Sequence, residues 1–312
     1  MSLPGSLPMS AALIAVVVAL LLGHRLPEPG SWRRFGWFDT WTASVNARLG
    51  RPASADAGGI LLLLLPVVGL AILQFVLATR MLGFPAFVLS VLVLFACWGP
   101  RDLDRDVEAV LDADDPDQQR RAAGPLFPAG PASLASRDLV DAAFSEALRR
   151  WFGVLFWFLL LGPSGALLFR LTQILLTANP PAPISPLATL RLVMAWPVAQ
   201  LMTLGLALAA SFDAVFVAWR EWHQQRGEGW LASDTGFLQA AGRASVVFEL
   251  AAEAEPSTDE SAPAAEVDAS IGGDAEPICS VPALRDAMSL IWRVLIVWLT
   301  VIALLVLAGF VS

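Results

Sequence analysis

Charged side chains that interrupt long apolar segments are the residues of this chain best placed to do chemistry, because a charge inside a bilayer is costly. Asp213 lies six residues before Trp219, at the end of one apolar segment, and Arg293 lies about six residues into the last one. At about 1.5 Å per residue, both would lie roughly 9 Å below the same membrane surface. We therefore expect Asp213 and Arg293 to form an ion pair, which either fixes the register of two helices or serves transport or binding.

A second polar group precedes the fourth apolar segment, which begins at Trp151. Glu146, Arg149 and Arg150 lie one helical turn before it. On an amphipathic helix that enters the membrane, these side chains would meet solvent, lipid phosphates or a protein partner. They are candidate binding or partner-docking residues.

The fourth segment also contains a break. Residues 162–165 (GPSG) must weaken or kink the helix, which occurs where neighbouring protein or a cavity satisfies the freed carbonyl groups. Arg170, beyond the break, and Arg191, at the start of the next segment, are expected to extend to water at the opposite membrane surface. Arg170 is also a candidate contact for an anion bound at the break.

The residue types that the chain lacks exclude several classes of site. It contains no Lys, so neither a Walker-type phosphate loop nor a pyridoxal Schiff base can exist. Its two His and two Cys are scattered singly, which argues against structural zinc and a disulfide framework. The acidic run at residues 112–117 has Pro116 and Asp117 where a calcium loop needs an oxygen ligand and Gly. We expect no metal and no cofactor.

The composition identifies the solvent in which these residues act. With 56% hydrophobic residues, 15% charged residues and a mean hydropathy of +0.65, the chain is too apolar for a water-soluble domain. Six segments approach the roughly 20 apolar residues that a bilayer core requires. They are residues 9–23, 60–79, 82–98, 151–176, 190–219 and 288–311. We predict an all-α polytopic membrane helix bundle of about six transmembrane helices, or five if residues 9–23 do not span, with helical cytoplasmic loops.

The distribution of Arg predicts the orientation of this bundle. Sixteen of the twenty Arg residues fall in three connections, residues 24–58, 100–150 and 220–286, whereas the connections on the other side hold one. Because Arg-rich loops remain in the cytoplasm, both termini should lie outside a bacterial inner membrane and the three loops inside. The chain is then organised as residues 1–23, 24–58, 59–99 (a membrane hairpin), 100–150, 151–219, 220–286 and 287–312.

The three loops differ in composition. Residues 32–41 (WRRFGWFDTW) alternate aromatic and basic side chains, which is typical of an interfacial anchor. The second loop should contain an amphipathic helix, whose apolar face is formed by Leu103, Val107, Val110 and Leu111, and a second helix over residues 136–150 that is capped by Ser136. Residues 251–277 are acidic and lack aliphatic bulk, so they should be a disordered tether or, alternatively, an acidic partner-binding arm.

Residues 149–171 (RRWFGVLFWFLLLGPSGALLFRL) resemble the central signature of the AmpE family, inner-membrane modulators of β-lactamase induction. Residues 99–122 (GPRDLDRDVEAVLDADDPDQQRRA) and 196–219 (WPVAQLMTLGLALAASFDAVFVAW) are similar to that family in order and spacing. The resemblance implies a multi-pass protein without established catalytic activity that is linked to cell-wall stress and the β-lactam response.

AmpE proteins are in turn similar to the CobD/CbiB cobinamide-phosphate synthases, which join an amino-alcohol to cobyric acid in the membrane. The synthase pattern has Glu-Asn followed by Asp-Gly, whereas this chain has Glu146 followed by Ala147 and Leu148. Beyond the break the synthase pattern has Tyr-Arg and then Asn-Thr-Leu-Asp, whereas this chain has residues 169–173 (FRLTQ) there. The Arg of the fifth segment corresponds to Gln200. Only Glu146 and Arg170 keep recognisable polar positions, so a ligase is the alternative to a non-enzymatic role.

The leading hypothesis is therefore a non-enzymatic inner-membrane signalling or accessory protein of the AmpE type. It would act through cytoplasmic helices, residues 102–121 and 136–150, on a cytoplasmic or membrane protein partner. A second hypothesis is a sensor or transporter of cell-wall fragments, with a muropeptide bound near Arg170 at the break. The third is a cobinamide-phosphate synthase-like amide ligase. The lipid bilayer is an expected partner, and nucleic acid is not.

Overall fold

The computed structural model describes residues 13–19, 35–49, 58–80, 84–98, 103–128, 130–178, 185–226, 234–254 and 281–308. All regular structure within these ranges is helical, and they contain no strand, which confirms the all-α prediction. The predicted acidic tether lies almost entirely outside the described residues. The first predicted span is described only at residues 13–19, which are helical.

The helices are labelled in chain order. They are α1 (Gly36–Leu49), α2 (Gly58–Arg80), α3 (Phe84–Cys97), α4 (Leu103–Leu111), α5 (Pro116–Ala123), α6 (Ser136–Ala147), α7 (Gly153–Ala178), α8 (Pro186–Ala209), α9 (Phe212–Arg226), α10 (Gly236–Ala254) and α11 (Val281–Leu307). A π-helical turn, Leu148–Phe152, joins α6 to α7, so the second predicted cytoplasmic helix does run into the fourth apolar segment. Ala135 occupies the N-cap position of α6, and the predicted cap by Ser136 is wrong because Ser136 is already the first helical residue.

Four helical segments are long and apolar enough to cross a membrane, which confirms a membrane helix bundle. They are Gly58–Thr79, Ser136–Thr177, Pro186–Ala209 and Pro282–Leu307, and the apolar helix Phe84–Cys97 is shorter. The predicted fifth span, residues 190–219, is wrong at its end, because α8 stops at Ala209 and α9 begins at Phe212. Ser211 explains the break: its hydroxyl accepts the Ala214 backbone N–H at 3.4 Å, as an N-cap side chain does.

The chain divides into two compact units. The first comprises residues 1–101, 149–194 and 300–312, and the second comprises residues 102–148 and 195–299. In the first unit, α2 and α3 pack against each other and both pack against α7. The apolar stripe of α2 that is buried there includes Leu63 and Val67. Helix α7 is therefore the centre of the first unit.

Helix α7 reverses direction at Gly162. Gly162 has φ 70° and ψ −160°, a conformation outside the helical region and one that glycine adopts readily. A hydrogen bond joins the two flanks of Gly162: Arg149, which precedes it, donates from Nε to Oε1 of Gln173, which follows it, over 3.4 Å. In a straight helix these two residues would be separated by about 36 Å, so the helix must fold back on itself.

The two arms of this hairpin are residues 153–161 and 163–178. Its tip is residues 162–165, that is, Gly162 and the first three residues of the second arm. The arms approach each other closely at the tip, where Gly165 lies against the backbone carbonyl of Trp157. A Cβ atom on Gly165 would also lie 2.6 Å from the Cβ of Leu161, so no larger residue fits there without a backbone shift. The predicted break at residues 162–165 is present, and it is a reversal of the chain rather than a kink.

The second unit contains α4, α5, α6, α9 and α10 together with most of α8 and α11. The predicted amphipathic helix of residues 102–121 is two helices, α4 and α5, because Pro116 begins a new helix after the Asp115 N-cap. The predicted apolar face of α4 is buried at Leu103, Val107 and Val110. Helix α10 packs against both α6 and α9.

The hairpin predicts a short distance between its arms. Spin labels on R149C and Q173C, in a background without the native cysteines, should be separated by a small fraction of the roughly 36 Å that 24 residues of straight helix would span. Pulsed electron spin resonance in lipid nanodiscs measures this distance. As a control, labels on V68C and T79C in α2 should be about 16 Å apart along a continuous helix. A separation near 36 Å for the first pair would show that α7 runs straight.

Candidate functional site

Polar and aromatic side chains of the first unit lie at the open end of the hairpin, where the first arm begins and the second arm ends. We call this region the hairpin base. Trp98 follows α3, and its ring stacks on Trp151 of the π-helical turn with a centroid distance of 6.3 Å. Arg149, two residues before Trp151, reaches Gln173 of the second arm. Tryptophan is enriched at the boundary between hydrocarbon and water, so the stacked pair is typical of headgroup depth.

Arg191, in the first turns of α8, belongs to the same region. It lies close enough to Arg149 for the two guanidinium charges to repel each other. Its side chain is exposed, and no acidic partner of Arg191 occurs among the described residues. Guanidinium groups and side-chain amides can all donate hydrogen bonds to an anion, so residues of these types in one region are suited to holding one.

The prediction that Arg191 lies at the membrane surface opposite Arg149 is wrong. The reversal at Gly162 returns the second arm to the level of Arg149, and α8 then starts at that same end of the hairpin. Arg170 is three residues before Gln173 on the second arm, so the two occupy neighbouring positions on its surface. Arg170 is half-buried, and it too lies on an arm that returns towards the base.

Glu146 and Arg150 do not form the exposed docking surface that the sequence predicts. Glu146 is 5% exposed and Arg150 is 9% exposed, and neither is without a partner. Arg150 lies in the π-helical turn, which rotates side chains away from their regular-helix directions, whereas Glu146 lies on α6, which packs against α4 and α10. Arg149 is half-buried and is the member of the predicted set that remains reachable.

The described part of the first unit is strongly basic. It contains six Arg residues, Arg48, Arg80, Arg149, Arg150, Arg170 and Arg191, whereas Asp39 of α1 is its only acidic residue. In low dielectric surroundings such an excess of one sign produces a large potential. The unit therefore favours anions. Across all described ranges, no three His, Cys, Asp or Glu residues are grouped so that they could hold a metal ion.

The hairpin tip carries a polar residue that the sequence analysis overlooked. Gln74 lies on the buried stripe of α2, and its amide atoms Nε2 and Oε1 are 3.6 and 3.9 Å from the position that a Cβ of Gly162 would occupy. At the tip itself the Ser164 hydroxyl donates to the Leu161 carbonyl at 3.0 Å. Gln74 is the lone strongly polar residue among residues 60–78, which is the signal that could have identified it.

A separate polar cluster joins α6 to α10 in the second unit. Arg243 forms a salt bridge with Asp141, and Gln239 donates to the Ser145 hydroxyl at 2.7 Å. Helix α6 precedes the apolar part of its segment, so this cluster lies outside the membrane span. Burial raises the pKa of the Asp141 carboxyl above its usual range, and the Arg243 guanidinium opposes that shift. These contacts satisfy one another, which is typical of a structural clasp.

The predicted ion pair of Asp213 and Arg293 is wrong. Arg293 pairs instead with Glu249 of α10 at 2.8 Å. Asp213 lies in the first turn of α9 and is exposed, because the chain starts a new helix at Phe212. An acidic residue at that position interacts favourably with the helix dipole and needs no basic partner.

Removal of the cation from the clasp should destabilise the second unit. Arg243→Ala leaves the Asp141 carboxylate partly buried without its partner, which should cost about 1–3 kcal/mol and lower the Tm by several degrees. The loss should be largest at neutral pH and shrink as the pH falls, because protonation of Asp141 removes its charge. Thermal unfolding in detergent at several pH values measures both effects.

Arg220→Ala is the control, since Arg220 is exposed and lies in the same unit. It should leave the Tm unchanged. Equal Tm values for the two variants at neutral pH would contradict a stabilising role for the clasp.

The family model described as CobD/Cbib protein matches residues 13–177. No curated protein and no solved structure shows a significant match to the chain. Since the family match covers more than half of the sequence and includes the hairpin through Thr177, the chain belongs to the CobD/Cbib protein family.

Proposed function

We propose that this membrane protein binds an anionic small molecule at the hairpin base, and that ligand binding is its function. The observation that carries the proposal is the contact of Arg149 with Gln173, close enough to Arg191 for the two guanidinium charges to act on each other, in a unit whose described residues include a single acid. Two like charges near each other at a membrane surface repel each other, and an anion that binds both would relieve this repulsion. A carboxylate or phosphate would accept hydrogen bonds from both guanidinium groups.

The finer identity of the ligand follows from the resemblance of residues 149–171 to the AmpE family. Those residues form the π-helical turn, the first arm, the tip and the start of the second arm. We infer a sensor of anionic cell-wall fragments, whose carboxylates would bind Arg149 and Arg191 from the cytoplasmic side of an inner membrane. Arg170 is the nearest further cation on the second arm. This role needs no catalytic group.

A signalling role would also require a protein partner. The buried Glu146 and Arg150 are not accessible to one. The start of α5 is accessible, because Asp114, Asp115 and Asp117 are all exposed. We therefore propose the acidic start of α5, rather than the residues before the fourth segment, as the docking region.

The family match favours one second candidate, a cobinamide-phosphate synthase-like amide ligase. In this version the hairpin base would hold a phosphate of the substrate, and Thr172 and Gln173 would stand where the synthases have their polar run. The departures at residues 147–148 and at Gln200 speak against it, since they replace polar positions of the synthase pattern by apolar or neutral residues.

The proposal predicts that Arg191 and Arg149 are needed for ligand affinity. Calorimetric titration of the full chain in nanodiscs with an anhydro-muropeptide should show saturable binding. Arg191→Gln and Arg149→Gln should each weaken it about tenfold or more, because a hydrogen bond to a charged group contributes about 1.5–3 kcal/mol. Arg220→Gln, on an exposed position of the second unit, is the matched control and should bind as the parent does.

A parallel incubation with magnesium-nucleotide, cobyric acid and an amino-alcohol separates the two candidates, because the acid, the amine and the activating nucleotide that an amide ligase needs are then all present. Formation of an amide product would establish the ligase and overturn the sensor. Muropeptide affinity that is equal in the parent and both base variants would refute a ligand site at the hairpin base.

A further inference from the structure

Three aromatic side chains of α9 form an exposed strip along that helix. Phe212, Phe216 and Trp219 occupy positions i, i+4 and i+7, which lie on one side of a helix. Phe212 is 56% exposed and Phe216 is 47% exposed, whereas Trp219 is half-buried. We call these three side chains the aromatic strip. It belongs to the second unit, whereas Arg149 and Arg191 belong to the first, so its role does not depend on the ligand site at the hairpin base.

The rings of the aromatic strip are fixed by contacts with one another. The Phe216 ring stacks on Phe212 with a centroid distance of 5.9 Å and on Trp219 with one of 6.1 Å. Beyond Trp219 the row continues to His223, whose ring is 4.3 Å away and whose Nδ1 donates to the Trp219 backbone carbonyl at 2.8 Å. The His223 ring lies 5.7 Å from Phe237 of α10. Side chains held in this way present their apolar area at little further cost in conformational entropy.

The aromatic strip begins where a membrane span ends. Helix α8 is among the segments long and apolar enough to cross a membrane. Its 24 residues rise by about 36 Å, more than the roughly 30 Å of a hydrocarbon core. The end of α8 at Ala209 therefore reaches the boundary of the bilayer, and Phe212 follows three residues later.

The exposed apolar side of α8 leads along the chain to the aromatic strip. Leu201, Leu204 and Leu208 are exposed and lie at i, i+3 and i+7, on one side of α8. Leucine side chains that are exposed on a membrane span face lipid, since hydrocarbon is the solvent at that depth. Phe212 follows Leu208 by four residues. The surface that lipid covers on the span is thus followed directly by exposed rings at its end.

The other sides of α9 exclude an orientation within the hydrocarbon. Asp213, Arg220 and Gln224 are exposed at i, i+7 and i+11, roughly a quarter turn around the helix from the aromatic strip. On the opposite flank of the strip, the Trp222 ring packs on Phe237 of α10 at 5.7 Å. Helix α9 therefore has a protein side, a polar side and the strip between them. A helix with this distribution lies along the bilayer boundary, with its apolar side towards the acyl chains and its charges in water.

We propose that α9 lies along the membrane surface and inserts the aromatic strip into the layer where lipid headgroups meet acyl chains. The partner is the bilayer, and the chemistry that binds the strip is that of the glycerol and upper acyl region, which aromatic rings favour. The charged residues of α9 are Asp213, Arg220, Glu221 and Arg226, which cancel. Neutral lipid is therefore sufficient for this contact.

Nitroxide accessibility in the full chain, in neutral phosphatidylcholine nanodiscs, tests the proposal. Labels are placed at F216C on the aromatic strip and, as the matched control on the polar side of the same helix, at Q224C, in a background without the native cysteines. Oxygen partitions into lipid and a nickel chelate stays in water, so the ratio of their collision rates with the label reports its depth. We expect this ratio to be several-fold higher at position 216 than at position 224, with the Tm of the parent kept. If F216C lowers the Tm, F212C provides the same comparison on the other exposed ring.

Three results would overturn the proposal. Equal ratios at positions 216 and 224 would show that the aromatic strip lies in water. A label at position 216 that is shielded from both reagents, with dipolar broadening between labels on two chains, would show that a second copy of this chain covers the strip. A high ratio at position 216 that appears only after anionic lipid is added would show that charge, rather than the strip, brings α9 to the membrane.

Discussion

The backbone conformation of Gly162 is the constraint on which the first unit depends. A positive φ at this residue ends one helical arm and starts the next in the opposite direction. Without that reversal, Arg149 and Gln173 would lie on opposite sides of the hydrocarbon core, and Arg191 would have no guanidinium neighbour. A single glycine therefore determines which polar residues share a membrane surface.

The reversal also changes how polar groups are distributed with depth. The arms are apolar for most of their length, and the polar groups concentrate at the two ends of the hairpin, Arg149 and Gln173 at the base and Gln74 at the tip. Irregular backbone within a membrane protein persists where protein surrounds it, and α2 and α3 supply that surrounding here. Among the described residues of the second unit none has a positive φ, and its clasp residues Asp141 and Arg243 satisfy each other.

The sequence is sufficient to predict the helical membrane class and the position of the break, because both follow from local composition. It does not reveal the angle of the break, since glycine and proline are compatible with a kink and with a full reversal alike. The sequence also does not reveal the partner of Arg293, because two acids, Asp213 and Glu249, are candidates for it. Ser211 caps a new helix just before Asp213, so Asp213 does not lie within the span, and Arg293 pairs with Glu249. Gln74 escaped notice because an uncharged amide in an apolar segment changes its hydropathy little.

Helix α3 has a consequence for the lipids around it. Its 14 residues rise by about 21 Å, which is less than the roughly 30 Å of a typical hydrocarbon core. The first arm of the hairpin with its π-helical turn is about as long. Lipids next to these elements must shorten or tilt their chains, and this hydrophobic mismatch favours membranes with short acyl chains.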